Sequence, residues 1–186
     1  SNHDGPHIHD LSICINPGLT LIRSTDERSA RGLISALVDF DVISGDAIDR
    51  RAKSLFWDIT PRPDSGPTQG REWLDRHRQA FASWDVGLEA DLIEEFELDV
   101  HIDKPLYMFS RGSFRKLGLV AAFACGADVA FMETPFAALD GRSCVLLAEL
   151  LNEAAAHSKR AWVVSDYEVP PQLLSSAFSN IIDLGL

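Results

Sequence analysis

The sequence predicts a layered α/β domain, because short apolar strands alternate with helices along nearly its whole length. Two further observations support this. Leu117 to Cys125 is a run of small and apolar residues that reads as a helix buried on almost every side, and Val129 to Met132 follows it as a buried strand. The charged helical stretch from Arg71 to about Phe96 interrupts the alternation and reads as an insertion.

The elements follow in order. Leu11 to Ile15 alternates and predicts a strand; Pro17-Gly18 turns the chain into a second strand at Leu19 to Ile22. Ala30, Leu33, Ile34 and Leu37 recur at helical spacing, which predicts a helix over about Asp26 to Val38. Ser44-Gly45 marks a turn before a strand-like piece near Ala47, and Leu55-Phe56-Trp57 reads as another strand. Five prolines and glycines between Pro61 and Gly70 predict a loop. Helices are expected over about Arg71 to Trp84 and Glu89 to Phe96, with Trp73, Phe81 and Trp84 as apolar residues for a partner or a subdomain core. An amphipathic helix at Arg142 to His157, a strand at Ala161 to Ser165, a helix near Pro171 to Phe178 and a strand near Ile181 to Leu184 complete the reading.

One domain over 1–186 accommodates all of this, with a core of about 1–60 and 105–186 and a small helical subdomain of about 68–104. The net charge of -11 argues against a nucleic-acid partner and against attraction to an anionic membrane surface. Cys14, Cys125 and Cys144 lie in apolar segments without metal-ligand spacing, which predicts reduced core cysteines in a cytoplasmic protein. No apolar run approaches membrane-spanning length, and no signal peptide is visible. His3, His7 and His9, near Asp4 and Asp10, read as a solvated terminus, with a metal site as the alternative.

Phe109-Ser110-Arg111-Gly112-Ser113 leads into the buried helix, and the buried strand runs into Glu133-Thr134-Pro135-Phe136-Ala137-Ala138-Leu139-Asp140. This order resembles the ATP-binding-cassette (ABC) ATPases: a signature loop, a helix, a Walker B strand and a D-loop ending in Leu-Asp. Pro17 to Ile22 is similar to the strand that enters their Walker A loop, Ser44-Gly45-Asp46 to a turn after their first helix, and Ala161 to Ser165 to their switch strand. The resemblance spans nearly the whole chain. It implies a P-loop NTPase-like three-layer core, a mixed, mostly parallel sheet and the inserted helical subdomain. Within the family, the compact insertion resembles the small haem-export or cytochrome c maturation ATPases.

The family implies ATP and magnesium; the residues at the matching positions do not supply the chemistry. A working P-loop needs glycines for close amide approach, a lysine for the terminal phosphates and a hydroxyl for magnesium. The matching run is Arg23-Ser24-Thr25-Asp26-Glu27-Arg28-Ser29-Ala30-Arg31, with arginines at both glycine positions, Ser29 for the lysine and Ala30 for the hydroxyl. Ser24 and Glu27 stand at capping-box spacing, so they can satisfy the helix amides that an anion would need. Asp26 and Glu27 would repel phosphate; Arg23, Arg28 and Arg31 either offset this or are solvated charges.

At the end of the Walker B-like strand Glu133 takes the metal-ordering position and Thr134, which is no carboxylate base, the catalytic one. The alternative alignment puts Glu133 at the catalytic position and Met132 at the metal position; either leaves one acid missing. Asp166 falls at the switch histidine, Asp58 near the Q-loop glutamine, and only His3 or His7 near the adenine-stacking aromatic. In the signature-like loop Ser110 and Gly112 match, while Arg111 and Ser113 do not; Ser110 serves either an opposed nucleotide or simply the helix N-terminus.

The expectations are therefore no catalytic residue, no metal beyond a weak candidate in Glu133, and no cofactor apart from the ATP and magnesium the family implies. The expected role is a non-catalytic ABC subunit paired with a membrane permease or a second ABC ATPase, or forming a homodimer. The other readings are a soluble interaction or regulatory protein on this fold, and an ATPase with residual turnover.

Overall fold

The computed structural model describes residues 15–26, 30–34, 66–184 and the backbone of 55–58. Five strands are described: β1 (Gly18–Ser24), β2 (Leu55–Asp58), β3 (Val129–Glu133), β4 (Ala161–Asp166) and β5 (Asn180–Leu184). They form one sheet in the order β2-β3-β4-β1-β5. Every pairing is parallel, so among the described strands the sheet is parallel throughout rather than mixed.

Side-chain alternation explains the layers. Leu19, Leu21, Ala130, Met132, Trp162 and Val164 face one cluster. Ile22, Val129, Phe131, Ala161 and Val163 face the other, where the helical residues Ala30, Leu33 and Ile34 cover them. A parallel sheet covered on both faces needs such continuous apolar strands.

The helices are α1 (Gly70–Ala80), α2 (Val86–Glu95), α3 (Arg111–Ala124) and α4 (Gly141–Ala155). α3 is the buried helix that the small-residue run predicted, and residues 117–124 are all buried. Its far end is pinned from two sides. The Asp85 amide donates to the Ala124 carbonyl at 2.8 Å. The Arg160 guanidinium donates to the carbonyls of Ala127, Phe123 and Ala122 at 2.7–3.4 Å and stacks 4.4 Å over Trp162. Gly126, at φ +66°, passes the Ser83 carbonyl so closely that a Cβ would lie 2.2 Å from it.

Several expectations need correction. The helix predicted to reach Trp84 stops at Ala80, where Phe81 turns extended. Of the two readings left open for Trp73, Phe81 and Trp84, the subdomain core is the one observed: all three pack partly buried against the main cluster. Trp84 also donates to the buried Glu89 carboxylate at 2.5 Å, which Arg78 holds at 2.6 and 3.2 Å. The segment near Pro171 to Phe178 forms only a 3-10 turn, Ser175–Ala177, because Leu174 is extended (ψ 142°). Cys125 is buried, but Cys144 is partly exposed on α4. The strand expected before Ile15, the piece near Ala47 and the histidines of the first ten residues lie outside the described residues.

Candidate functional site

In an open parallel sheet, ligands bind beyond the carboxyl ends of the strands where the connections diverge. Here β1 leads towards β2 at one edge, and β4 leads across β1 to β5 at the other. The rim formed by the ends of β1, β3 and β4 is therefore the expected site. It carries Arg23 and Ser24, Glu133 and Thr134, and Asp166.

The strand-to-helix turn is tight. β1 runs through Arg23 to Ser24, and the Asp26 carbonyl already accepts a helical bond from the Ala30 amide at 3.3 Å. Only Thr25 separates the last strand residue from Asp26. The Ser24 hydroxyl is buried and bonded to the Asp26 carbonyl (2.8 Å) and amide (3.1 Å). Glu27, the other half of the expected capping box, lies outside the described residues with Arg28 and Ser29. Ala30, at the hydroxyl position, is buried in the apolar cluster behind β1.

The two described arginines of this run are engaged inside the chain. Arg23 grips Asp183 of β5 through Nε–Oδ1 at 2.5 Å and Nη2–Oδ2 at 2.9 Å. This two-point contact raises the Arg23 pKa and holds the Asp183 carboxyl below its ordinary value. Arg31 Nε donates to both oxygens of Glu133, at 3.0 and 3.2 Å. Both arginines keep contact with solvent, as the solvated-charge reading has it, and each has a non-local partner.

Glu133 is held on its other side too, because Arg115 Nη1 donates to its carbonyl at 2.9 Å. The following Thr134 sits at φ 39°, and its amide donates to the Ser165 carbonyl at 2.8 Å. Asp166 ends β4 in register with Arg23. Its carboxylate accepts the Tyr167 amide at 2.8 Å and makes no ion pair among the described residues. Burial, the largest cause, pushes its carboxyl up. The backbone of Asp58 ends β2 opposite Met132.

A second strip lies beside this rim. Ser110 is the N-cap of α3 and accepts from the Ser113 amide at 3.0 Å, so it fills the capping role weighed for it. Arg111 opens the helix and is exposed. Gly112 lies under the D-loop-like turn of its own chain: a Cβ there would meet the Ala138 carbonyl at 2.8 Å. Ala138 is itself at φ 63°. Asp140 caps α4 through the Ser143 amide (2.9 Å) and hydroxyl (3.0 Å), and pairs with Lys116 at 2.8 Å. The Lys116 contact, then the Ser143 amide, hold its carboxyl far below the usual range.

The structure places Arg23, Ser24, Glu133, Thr134 and Asp166 at the strand ends, and it adds Asp183, Lys116 and Arg115 as partners that sequence reasoning missed. Only the order of the strands joins Arg23 to Asp183, and no local pattern reports it. Among the described residues, no group of three or more His, Cys, Asp or Glu is placed to hold a metal.

No protein-family model matches the chain, and no curated protein matches it. Solved structures do. An ABC transporter ATP-binding protein from Pyrococcus furiosus aligns at TM-score 0.65 and 15% identity over 91% of this chain and 86% of its own. The ATP-binding subunit of an ABC transporter aligns at TM-score 0.59 and 18% identity, over 81% of this chain and 69% of its own. An RNase-L inhibitor aligns at 0.56 and 16%, over 81% of this chain and 34% of its own. Identities this low speak to the fold, which is that of the ABC-type ATPases.

Proposed function

We propose, from the ABC ATPase fold as premise, that this chain is a non-catalytic, ATP-binding-subunit-like component of a transport complex. The observation that carries the reading is the pairing of Arg31 with Glu133, alongside Arg23 with Asp183. A nucleotide site needs free cations for phosphate and a carboxylate free to order magnesium. Here the two described cations, Arg23 and Arg31, and the Glu133 carboxylate are each paired within the chain. A turn with Asp26 at its bend adds charge of the wrong sign for a triphosphate.

The residues present do not fit Mg-ATP, and no hydrolytic step is derived for them. Thr134 offers no general base where the resemblance places one, and Asp166 no donor to a γ-phosphate at neutral pH. The Walker A-like residues act here as a strand-to-helix splice, and Ser110, Gly112 and Asp140 as caps and close contacts. Partners of the proposed kind are a membrane permease, a competent ABC ATPase or a second copy, at the inner face of the membrane in the cytoplasm. Among the described residues no helix is long and apolar enough to cross a membrane. The small haem-export or cytochrome c maturation type is the subfamily proposed.

The second reading is a soluble interaction or regulatory protein on the same fold. An alignment with an RNase-L inhibitor favours keeping it, since that protein's name is not a transporter's. Phosphate release tests the inactive state common to both. The purified chain with Mg-ATP is expected to release no more phosphate than buffer, with Glu133→Gln indistinguishable from the parent. Turnover abolished by Glu133→Gln would establish the residual-ATPase reading instead.

A further inference from the structure

The turn between α4 and β4 is built around one imidazole ring. His157 follows the last turn of α4, where its amide donates to the Ala154 carbonyl at 3.1 Å. Its Nδ1 then accepts two backbone amides, Lys159 at 3.1 Å and Arg160 at 3.0 Å. A ring nitrogen that accepts carries no proton, so the ring is neutral with its proton on Nε2. The other two described histidines differ. His77 Nδ1 lies 2.8 Å from the Trp73 carbonyl and donates to it, and His101 Nδ1 accepts from the Lys104 ammonium at 3.1 Å.

This turn delivers Arg160, which holds the far end of α3. Its guanidinium binds the carbonyls of Ala127, Phe123 and Ala122 and lies 4.4 Å over Trp162, whose ring His157 meets edge-on at 5.3 Å. The same end of α3 receives the helical insertion, because Asp85, the N-cap of α2, donates its amide to the Ala124 carbonyl at 2.8 Å. One ring nitrogen, one guanidinium and one helix end thus join the turn to the insertion.

We propose that His157 is an acid-sensitive latch: protonation makes Nδ1 a donor, expels the Lys159 and Arg160 amides, and frees Arg160 and with it the joint between α3 and the insertion. The two charges acting on the ring are the cations of Arg160 and Lys159; Asp128 and the Cys125 thiol, across the turn, act on Arg160. Among the described residues no carboxylate is placed to stabilise the imidazolium. Partial burial of the ring, then Arg160 and Lys159, hold its titration below the ordinary imidazole range. The contribution of the closed latch is therefore full above about pH 6.5 and is lost as pH falls through the folded value. The latch goes beyond the transport-subunit reading and does not depend on whether nucleotide binds.

Amide hydrogen exchange on the full chain, followed by NMR between about pH 7.5 and about pH 5, tests this. Protection corrected for the intrinsic rate is expected to fall at Lys159, Arg160 and Asp85 together, by up to about tenfold per pH unit. The Val164 amide, inside the sheet, should keep its protection. His157→Asn offers a carboxamide oxygen to the same two amides and does not titrate, so its protection should not change with pH. His157→Ala has no acceptor and should be open at the three amides at every pH. A parent without pH dependence, or His157→Asn losing protection as the parent does, would overturn the proposal. Loss confined to Lys159 and Arg160, with Asp85 unchanged, would overturn it too, since the ring would then hold only its own turn. Equal loss at Val164 would show global acid unfolding in place of a latch.

Discussion

The rim at the ends of β1 and β3 and the strip formed by the starts of α3 and α4 differ in how far they keep the family pattern. At the rim, Arg23 and Arg31 have found partners within the chain in Asp183 and Glu133, while Asp166 forms no ion pair among the described residues. On the strip, the matching residues are ones that the fold itself uses. Ser110 and Asp140 satisfy helix amides, and Gly112 lets two backbones touch. A residue with a structural task persists for reasons that have nothing to do with nucleotide. The match in the signature-like loop is thus weak evidence for function, whereas the charge pairing at the rim bears directly on it.

The contrast can be broken by substitution, and the strip should respond most. Gly112→Ala would push a methyl to 2.8 Å from the Ala138 backbone carbonyl, a neighbour that cannot simply rotate away. The expected cost is about 1–3 kcal/mol, read from urea denaturation; a variant as stable as the parent would show that the strip is loosely packed. Asp140→Ala removes a helix cap and should cost about 1 kcal/mol at neutral pH. The Asp140 carboxyl is depressed in the folded state, so its contribution is full above the ordinary aspartate value, about 3.9. It is lost as pH falls through the folded value, and the gap between parent and variant should shrink there.

At the rim the effects are smaller, and one has the opposite sign. Burial raises the Asp166 carboxyl, so its contribution to stability is complete below about pH 3.9 and is lost as pH rises through the folded value. Asp166→Asn keeps an oxygen for the Tyr167 amide and should melt higher than the parent at pH 7, with no advantage in acid. An equal or lower melting point at pH 7 would show the carboxylate to be stabilising where it stands. Arg31→Gln should cost least, about 0.5 kcal/mol or less, because Arg31 is 57% exposed, and the cost should fade with added salt.

Much of this was legible in the sequence. The strand positions followed from apolar runs, and α3 from a stretch too apolar to face water anywhere. The ordered motifs from Ser110 to Asp140 led to the fold. What could not be read was where the charges go. Arg31 and Glu133 stand 102 residues apart, Arg23 and Asp183 160 apart, and only the folded sheet brings them together. The extent of α1 was misjudged because Phe81 and Trp84 continue the apolar pattern past Ala80, as tertiary packing can demand of a loop. The helix expected near Pro171 failed for a local reason, the extended backbone at Leu174, which periodicity does not register.

Thermal melting of the intact chain, with Mg-ATP raised through the millimolar range, weighs the altered rim most directly. A midpoint that stays where it is without nucleotide is the predicted result. A saturating rise, approaching the roughly 2.7 kcal/mol expected at one hundred times the dissociation constant, would mean that triphosphate displaces Glu133 from Arg31 and would contradict the account.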